Sequence, residues 1–262
     1  MMQIRRSAVA VLAASFVLAL ASFLAAPAVA QAPAEKPPGE LASFWTFWPM
    51  AGHEMQFEAA VKEHLAWRKQ AGEGWTWDAY QPVVGTDMMS YVYRSGEHHW
   101  ADFDANLVWE TATKAGEAFQ KNVAPHVARY EHTIVVEDYE HSHWVMAEDY
   151  KYFRVTEYEL NSGAATAVRE AIDTIHKGLT AGGWQRSYAI SRTIGGSGGL
   201  TVVGPYRSYA EMEDPKPSMM EVLGKGAGSE AAAKAALQKF SEGIKKSNTS
   251  IYMHRADLST QK

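Results

Sequence analysis

The chain of 262 residues contains no cysteine. This absence excludes disulfide bonds, thiolate zinc sites and cysteine nucleophiles. The sequence also has no H-E-x-x-H motif, the helical zinc-binding signature of many metalloproteases. Basic residues are a minority, with 25 Lys and Arg against 30 Asp and Glu, and an acidic chain is a poor match for nucleic acid. We therefore expect neither thiol chemistry nor a nucleic-acid partner.

The first thirty residues have the pattern of a secretory signal peptide. Arg5 and Arg6 precede an apolar run over residues 8–26, and the A-V-A triplet at 28–30 matches the A-x-A cleavage rule. The apolar run is also long enough for an uncleaved membrane anchor. The small residues before the cleavage site favour a cleaved signal peptide at 1–30.

The mature chain is predicted to start near Gln31. Residues 31–41 are rich in proline and are expected to form a disordered leader. Removing Arg5 and Arg6 from the basic residues leaves 23 against 30 acidic ones, a net charge of −7. No other run is apolar enough to cross a membrane. We therefore expect a bacterial protein that is periplasmic or secreted, with no membrane span after signal cleavage.

The remainder of the chain contains two weakly similar halves. The G-W pair at 74–75 recurs at 183–184, and each pair follows a segment with helical periodicity. The segment W-A-D-F at 100–103 matches Y-A-E-M at 209–212 with the same spacing of 109 residues. Because these matches keep their order along the chain, they indicate an internal repeat.

Each half is predicted to form a strand–helix–strand–strand–helix–strand unit, which is the ferredoxin-like arrangement. The first repeat covers 42–144 and the second covers 145–262. The predicted strand at 44–50 is aromatic on both faces, so the sheet face without helices also needs cover. The sequence therefore predicts an α+β fold in which tandem ferredoxin-like βαββαβ repeats form one pseudo-symmetric α+β barrel. The predicted elements are strand 44–50, helix 54–70, strands 75–84 and 88–94, a helical region 97–128 and strand 130–139, then strand 151–160, helix 163–179, strands 184–192 and 200–204, helices 208–222 and 229–246 and strand 249–257, with a hairpin turn at Gly195–Gly199.

This order of elements, together with the G-W and W-A-D/Y-A-E matches, resembles the dimeric α+β barrel superfamily in the form of two fused repeats. The resemblance covers about residues 42–258. Members of that superfamily include cofactor-free monooxygenases, small lactone isomerases, haem enzymes and proteins with no known reaction, so the fold does not determine a function. The resemblance implies a pocket between sheet and helices, and either a monomer or a homodimer.

Two adjacent histidines, His98 and His99, precede Trp100 at the point where a strand is predicted to end and a helix to begin. Consecutive residues of a helix point about 100° apart, so both imidazoles do not easily bind one metal ion. The stretch therefore has a structural explanation as the start of a helix. The alternative is that His99 alone acts as a proton-transfer group or axial ligand. His64 is expected on a solvated helix face, and His132 is isolated in the sequence.

His141 and His143 form a second candidate, for a metal. At i and i+2 of an extended strand two imidazoles share one face, and zinc or copper accepts such a pair. A third ligand would have to come from Glu131, Glu137 or Tyr139. The alternative is that the two histidines belong to a polar linker between the repeats, whose polarity serves solubility alone.

Aromatic side chains supply the candidate ligand-binding residues. Many of them are expected to fill the space between sheet and helices as ordinary core. The alternative is that some line a pocket for an apolar or aromatic ligand, with Arg186, Asp78 or His99 as the polar group that orients it. The candidate ligand-binding residues are Trp75, Trp77, Tyr91, Tyr93, Trp100, Trp184, Arg186 and Tyr188.

The sequence leaves three functions open. No convergent set of acid, base and nucleophile is visible, which favours a non-catalytic exported protein that binds a small apolar or aromatic molecule or a protein partner. The first alternative is a cofactor-independent oxygenase or isomerase with His99 as the proton-transfer group. The second is haem or zinc binding, through His99 or the pair His141 and His143. No cofactor is predicted under the favoured interpretation.

Overall fold

The computed structural model describes residues 38–145, 149–195 and 199–260. The predicted signal peptide, residues 31–37 of the predicted leader and the centre of the predicted Gly195–Gly199 turn lie outside these residues. Of the helices in the described ranges, none is long and apolar enough to cross a membrane.

The first half has the predicted order of elements, with its second helical region divided in two. Local sequence patterns explain these elements. Apolar and polar residues alternate in the strands, apolar residues recur every four positions in the first helix, and the second helix begins after a capping residue. The elements are β1 (Leu41–Pro49), α1 (Glu54–Gln70), β2 (Asp78–Val84), β3 (Tyr91–His98), α2 (Trp100–Thr113), α3 (Ala115–Asn122) and β4 (Val127–Glu137).

The second half repeats that order, so the predicted α+β class with two βαββαβ units is confirmed. Its elements are β5 (Tyr152–Leu160), α4 (Ala165–Gly182), β6 (Ala189–Ile194), β7 (Gly199–Tyr206), α5 (Met219–Gly226), α6 (Glu230–Glu242) and β8 (Ile244–His254), and short 3₁₀ turns occupy Ala124–His126, Ala210–Met212 and Ala256–Leu258.

All eight strands form one closed antiparallel barrel in the order β1-β3-β2-β8-β5-β7-β6-β4. Within each half the order of strands is fourth, first, third, second, as in a ferredoxin-like unit. The halves are joined at two seams, where β2 pairs with β8 and β4 pairs with β6. Each half therefore covers both sheet edges of the other, which leaves no unpaired edge in the barrel.

Alternation along the strands separates two layers of side chains. In β1, Ser43, Trp45 and Phe47 face the helices outside the barrel, where the ring of Phe47 lies 5.8 Å from that of Phe57 on α1. The intervening residues of β1 therefore face the barrel interior. Tyr80 faces inward from β2, and its ring meets that of Phe153 edge to face at 5.2 Å. Burial raises the pKa of Tyr80 to about 12.

Several element boundaries differ from the prediction for identifiable reasons. The helical region predicted at 97–128 is divided at Lys114, which has a left-handed backbone (φ 58°). The helix predicted at 208–222 is only α5 preceded by a 3₁₀ turn, because Pro215 and Pro217 cannot lie inside a regular helix. Strands β2 and β6 begin three and five residues later than predicted, at Asp78 and Ala189. The G-W pairs therefore lie in loops before the strands.

The helices pack differently in the two halves. In the second half α4 and α5 cross so closely that a Cβ atom on Gly226 would lie 1.8 Å from the carbonyl oxygen of Gly178. Side chains such as Leu179, Val222 and Leu223 fill the space between these helices. In the first half no residue of α2 is buried. The first half therefore has space under its second helix.

Candidate functional site

A cavity of about 420 Å³ lies between the sheet of the first half and the helices α1, α2 and α3. We call it the aromatic cavity. Its volume is within the range of about 300–1,000 Å³ that small-molecule sites occupy. Most of its wall is aromatic or aliphatic, as such sites generally are. The aromatic residues of its wall include Trp45, Phe47, Trp77, Tyr93, Phe119 and Tyr130.

The rings around the aromatic cavity are held by one another. Trp45 on β1 stacks on His132 of β4, with ring centroids 4.2 Å apart and planes 9° apart. Trp75 meets Phe103 of α2 edge to face at 5.0 Å. Such aromatic pairs are worth about 0.5–1.5 kcal/mol each beyond the area they bury, so the wall is a fixed surface for a flat ring.

His64 lines this cavity from α1. It lies seven residues after Phe57 and three after Val61, so the periodicity of the helix places all three on the face that packs against the sheet. Its side chain is buried, with 8% exposed, and its Nδ1 has no hydrogen-bond partner among the described residues. Burial lowers the pKa of His64 to about 4, and the positive charge of Arg68 lowers it further. The imidazole is therefore neutral at physiological pH.

Tyr93 lines the same cavity from β3. It is 3% exposed, and its hydroxyl group has no hydrogen-bond partner within the described part of the chain. Burial raises the pKa of Tyr93 far above its ordinary value, and the nearby Tyr91 and Glu58 raise it further. The hydroxyl therefore stays protonated. A buried polar group without a partner costs about 1–3 kcal/mol of stability, and His64 and Tyr93 each contain such a group.

A cluster of three charged side chains lies at the cavity. The guanidinium of Arg68 donates from Nε to Glu73 at 2.7 Å and from Nη2 to Glu110 at 3.2 Å. The indole Nε1 of Trp77 donates to the same Glu73 carboxylate at 3.0 Å. Arg68 is the one cationic side chain in the described cavity wall, and two carboxylates oppose its charge.

His132 is the second histidine of the wall. Its Nε2 lies 2.9 Å from the hydroxyl oxygen of Ser43 on the neighbouring strand. Burial lowers the pKa of His132, while the carboxylate of Glu110 raises it in part. The ring is therefore oriented by one hydrogen bond and by its stacking on Trp45.

Three of the eight residues predicted to bind a ligand line the aromatic cavity, namely Trp75, Trp77 and Tyr93. Tyr91 does not line it; its hydroxyl group donates to Glu58 at 2.8 Å, and Glu58 is also absent from the cavity wall. Trp100 is 58% exposed at the start of α2.

The other three predicted ligand-binding residues lie in the second half, away from the cavity. Trp184 and Tyr188 pack against the core beneath α4 and α5, and the Tyr188 hydroxyl group lies 2.9 Å from Nδ1 of His176. Arg186 donates to the backbone carbonyl of Glu213 at 2.7 Å. The tertiary structure therefore does not bring the eight residues together at one site.

The adjacent histidines have separate structural roles. His99 is the N-cap residue of α2, and its backbone N–H donates to the Asp102 carboxylate at 2.6 Å. His98 is buried, with its Nε2 2.7 Å from the Ser95 hydroxyl oxygen and its ring stacked on Trp75 at 3.8 Å. Neither histidine lines the aromatic cavity. The third polar candidate, Asp78, begins β2 and is also absent from the cavity wall.

His141 and His143 do not form a shared metal-binding face. Nδ1 of His141 lies 2.9 Å from Asp138, and its Nε2 points to Asp173 at 3.5 Å. His143 pairs through its backbone with Tyr188. In the described ranges, no group of three or more His, Asp or Glu residues has an arrangement that could hold a metal ion.

Two residues of the site were not expected from the sequence. His64 was expected on a solvated helix face, yet it is buried, because the helix stripe of Phe57 and Val61 continues to it. That stripe was the available signal. His132 had no signal in the sequence, since its partners Ser43 and Trp45 are far from it along the chain.

Similarity to known proteins is limited to the fold. No protein-family model matches the chain, and no curated protein matches its sequence. Among solved structures, a candidate monooxygenase from Lactobacillus acidophilus superposes with a TM-score of 0.51 at 9% identity, covering 86% of this chain and 97% of the other. A chlorite dismutase variant from Candidatus Nitrospira defluvii gives 0.53 at 8% identity, covering 84% and 92%. At these identities the superpositions show a shared fold.

The resemblance also suggested haem, and the residues of the aromatic cavity do not fit that group. Haem carries two carboxylates, whereas the charge of Arg68 is already opposed by Glu73 and Glu110. Nε2 of His132 is engaged by Ser43, and Nδ1 of His64 is enclosed by protein atoms. We therefore assign no haem chemistry to this cavity.

Proposed function

We propose that this protein binds a small, flat and mostly apolar molecule in the aromatic cavity. One observation carries the proposal, which is that a mostly aromatic space of about 420 Å³ lies between the sheet and the helices of the first half. A flat ring bound there would gain from stacking on the aromatic side chains. In the described part of the second half, α4 and α5 instead pack together closely.

A cofactor-independent oxygenase or isomerase is the second candidate. It is favoured by the neutral imidazole of His64 in the cavity wall and by the name of one structural neighbour, a candidate monooxygenase. Proton transfer is most effective when the pKa of the base is near the working pH, and the pKa of His64 is about 4. This weak basicity places binding ahead of catalysis. His99, the residue expected from the sequence, would need a site outside the cavity.

Export is the remaining part of the proposal. The basic pair Arg5 and Arg6, the apolar run 8–26 and the A-V-A triplet at 28–30 support it. Binding would then take place in the periplasm or outside the cell, which small molecules from the surroundings reach without crossing the inner membrane.

A cavity-filling variant tests the proposal directly. Ala115 lines the cavity and is buried, so Ala115→Leu adds side-chain volume at the cavity wall. Naphthalene titrated into the mature protein should quench tryptophan fluorescence saturably, and Ala115→Leu should weaken this binding by roughly tenfold or more.

The matched control is Ala112→Leu, which adds the same bulk to an exposed position of α2 outside the cavity. Its affinity for naphthalene should equal that of the original protein. Equal weakening in both variants, or no saturable quenching at all, would refute binding in the aromatic cavity. For the second candidate, an oxygen electrode should record uptake with 1,4-dihydroxynaphthalene that His64→Gln abolishes; uptake equal to the protein-free background would reject it.

A further inference from the structure

Resting on the proposed function, we infer that the aromatic cavity selects a flat molecule whose ring system carries a positive charge, with the carboxylate of Glu110 as its counter-ion. Three observations carry this inference. Glu110 is an accessible carboxylate in the cavity wall, the positive charge of Arg68 is bound mainly by a different carboxylate, and the rest of the wall is largely aromatic.

Glu110 offers a reachable carboxylate to a molecule in the cavity. It belongs to the cavity wall from α2, and 38% of its side chain is exposed. Its Oε1 accepts a hydrogen bond from Nη2 of Arg68 at 3.2 Å. A carboxylate has about four acceptor positions on its two oxygens, so this bond leaves capacity for a second positive group.

The positive charge of Arg68 is held mainly by Glu73. Nε of Arg68 donates to Glu73 at 2.7 Å and Nη2 donates to it at 2.5 Å, so the pair is bidentate. Only 3% of the Glu73 side chain is exposed, whereas the longer bond of Arg68 to Glu110 joins it to a more accessible group. One cation therefore faces two carboxylates, and Glu110 carries the excess negative charge.

The histidines of the described wall add no positive charge. Burial lowers the pKa of His64 to about 4 and also lowers the pKa of His132, so both rings are neutral at pH 7. An anionic ligand would meet the like charge of Glu110 and would lose its hydration on entry. A cationic ligand would meet an opposite charge at the same place.

The aromatic side chains favour the same sign of charge. The face of an aromatic ring is negative, so it attracts a cation within about 6 Å of the ring centre, and aromatic cages bind quaternary ammonium groups in this way. The guanidinium of Arg68 already lies over the ring of Trp77 in this wall, 6.0 Å from its centroid. A flat aromatic cation would combine this attraction with the stacking on which the proposed function depends.

The cavity reaches the surface beside α2 and α3, which gives a charged molecule a way in. Leu107, Gly116 and Gln120 belong to the cavity wall and are also exposed. The net charge of the full chain is −5, and a negative protein raises the concentration of cations near its surface. Local and overall charge therefore favour a cation over an anion.

Three probes of similar shape separate charge from size. N-methylquinolinium is a permanent cation, 1-methylnaphthalene is its uncharged isostere, and 1-naphthoate is an anion with the same rings. Equilibrium dialysis against the mature protein at pH 7 measures the affinity for each probe. We expect N-methylquinolinium to bind roughly tenfold or more tightly than 1-naphthoate. The uncharged isostere measures binding of the rings without charge.

Two isosteric variants locate the counter-ion. Glu110→Gln removes the charge and keeps the shape, so it should lower the affinity for N-methylquinolinium by roughly tenfold and leave that for 1-methylnaphthalene unchanged. Glu117→Gln is the matched control, because it makes the same change at an exposed position of α3 outside the cavity wall. It should leave all three affinities unchanged. The ratio of cation to isostere is measured within one protein, so a general loss of stability lowers both affinities and not their ratio.

Gln120→Lys is an independent variant in case Glu110→Gln does not fold. It adds a positive charge at an exposed position of the cavity wall and should lower the same ratio.

The outcomes separate this inference from the proposed function. Equal affinities for N-methylquinolinium and 1-naphthoate, or an unchanged cation affinity in Glu110→Gln, would overturn the inference. Saturable binding of 1-methylnaphthalene that Ala115→Leu weakens would still leave the proposed function intact. Cation binding that Ala115→Leu does not weaken would lie outside the cavity and would also overturn the inference. No binding of any probe would overturn both.

Discussion

At the scale of single residues, His64 shows how burial alters a side chain that the sequence presents as ordinary. From the sequence alone, an imidazole at position 64 of a largely polar helix is expected to be exposed to solvent. Packing against Trp67, at 5.6 Å, and beneath α3 instead removes it from water and keeps it neutral. The same burial that makes it a weak base leaves its Nδ1 without a hydrogen-bond partner among the described residues.

This burial predicts a pH dependence of stability. The pKa of His64 is about 4 in the folded protein and has an ordinary value of 6.5, so the unfolded chain binds more protons between these pH values. Stability therefore rises with pH across this window, and on the order of 3 kcal/mol is lost as the pH falls from 6.5 to 4. His64→Leu should remove this part of the dependence. Urea unfolding of both proteins at pH 7 and pH 4.5 measures it, and parallel losses in the two would contradict the assignment.

At the scale of elements, the contrast between α2 and α5 decides which half contains a cavity. α5 lies in close contact with α4 through glycines, and the α5 residues Val222 and Leu223 are buried. α2 has no buried residue and is attached through specific contacts, such as the indole of Trp109, which donates to the Ala71 carbonyl at 3.0 Å. Few buried apolar contacts mean low local stability, so α2 is the helix of the cavity wall most able to open.

The close contact of α4 and α5 gives a second prediction. Gly226→Ala would place a Cβ atom 1.8 Å from the backbone oxygen of Gly178, so one helix must move, and we expect a loss of about 2–4 kcal/mol in unfolding free energy. Gly116→Ala is the control in a helix of similar length, because its Cβ meets no atom within 4 Å and alanine favours the helix by about 0.5–1 kcal/mol. Chemical denaturation of both variants checks this; a neutral Gly226→Ala would mean that the helices are not in close contact.

At the scale of the whole molecule, two half-sheets close into a barrel within one chain. The seams β2–β8 and β4–β6 use the strand edges that each half alone would expose. Since pairing with the other half satisfies these edges, the barrel needs no second chain to be complete. The predicted choice between monomer and homodimer therefore concerns the outer helices and loops.

Export is also a property of the whole molecule and has a direct measurement. Expression of the full chain in a Gram-negative host should yield periplasmic protein whose intact mass corresponds to a chain that begins at Gln31, because we expect cleavage after the A-V-A triplet at 28–30. Ala30→Arg, which places a bulky charge at that site, should prevent cleavage. A periplasmic mass that retains Met1, or retention of the unmodified chain in the cytoplasm, would disprove the signal peptide.

The sequence by itself determined the order of elements and the α+β barrel class, because strand alternation, helix stripes and the recurring G-W pairs are local patterns. It also gave Trp75, Trp77 and Tyr93 as candidate pocket residues, because aromatic residues in or beside a predicted strand indicate a packing layer, and these three line the aromatic cavity. Only the tertiary structure decided that the cavity lies in the first half, that His64 and His132 belong to its wall, and that His99 does not. The reason is physical: a cavity remains where distant helices fail to meet, and the burial of each histidine depends on residues such as Ser43, 89 positions from His132, that no local pattern connects to it.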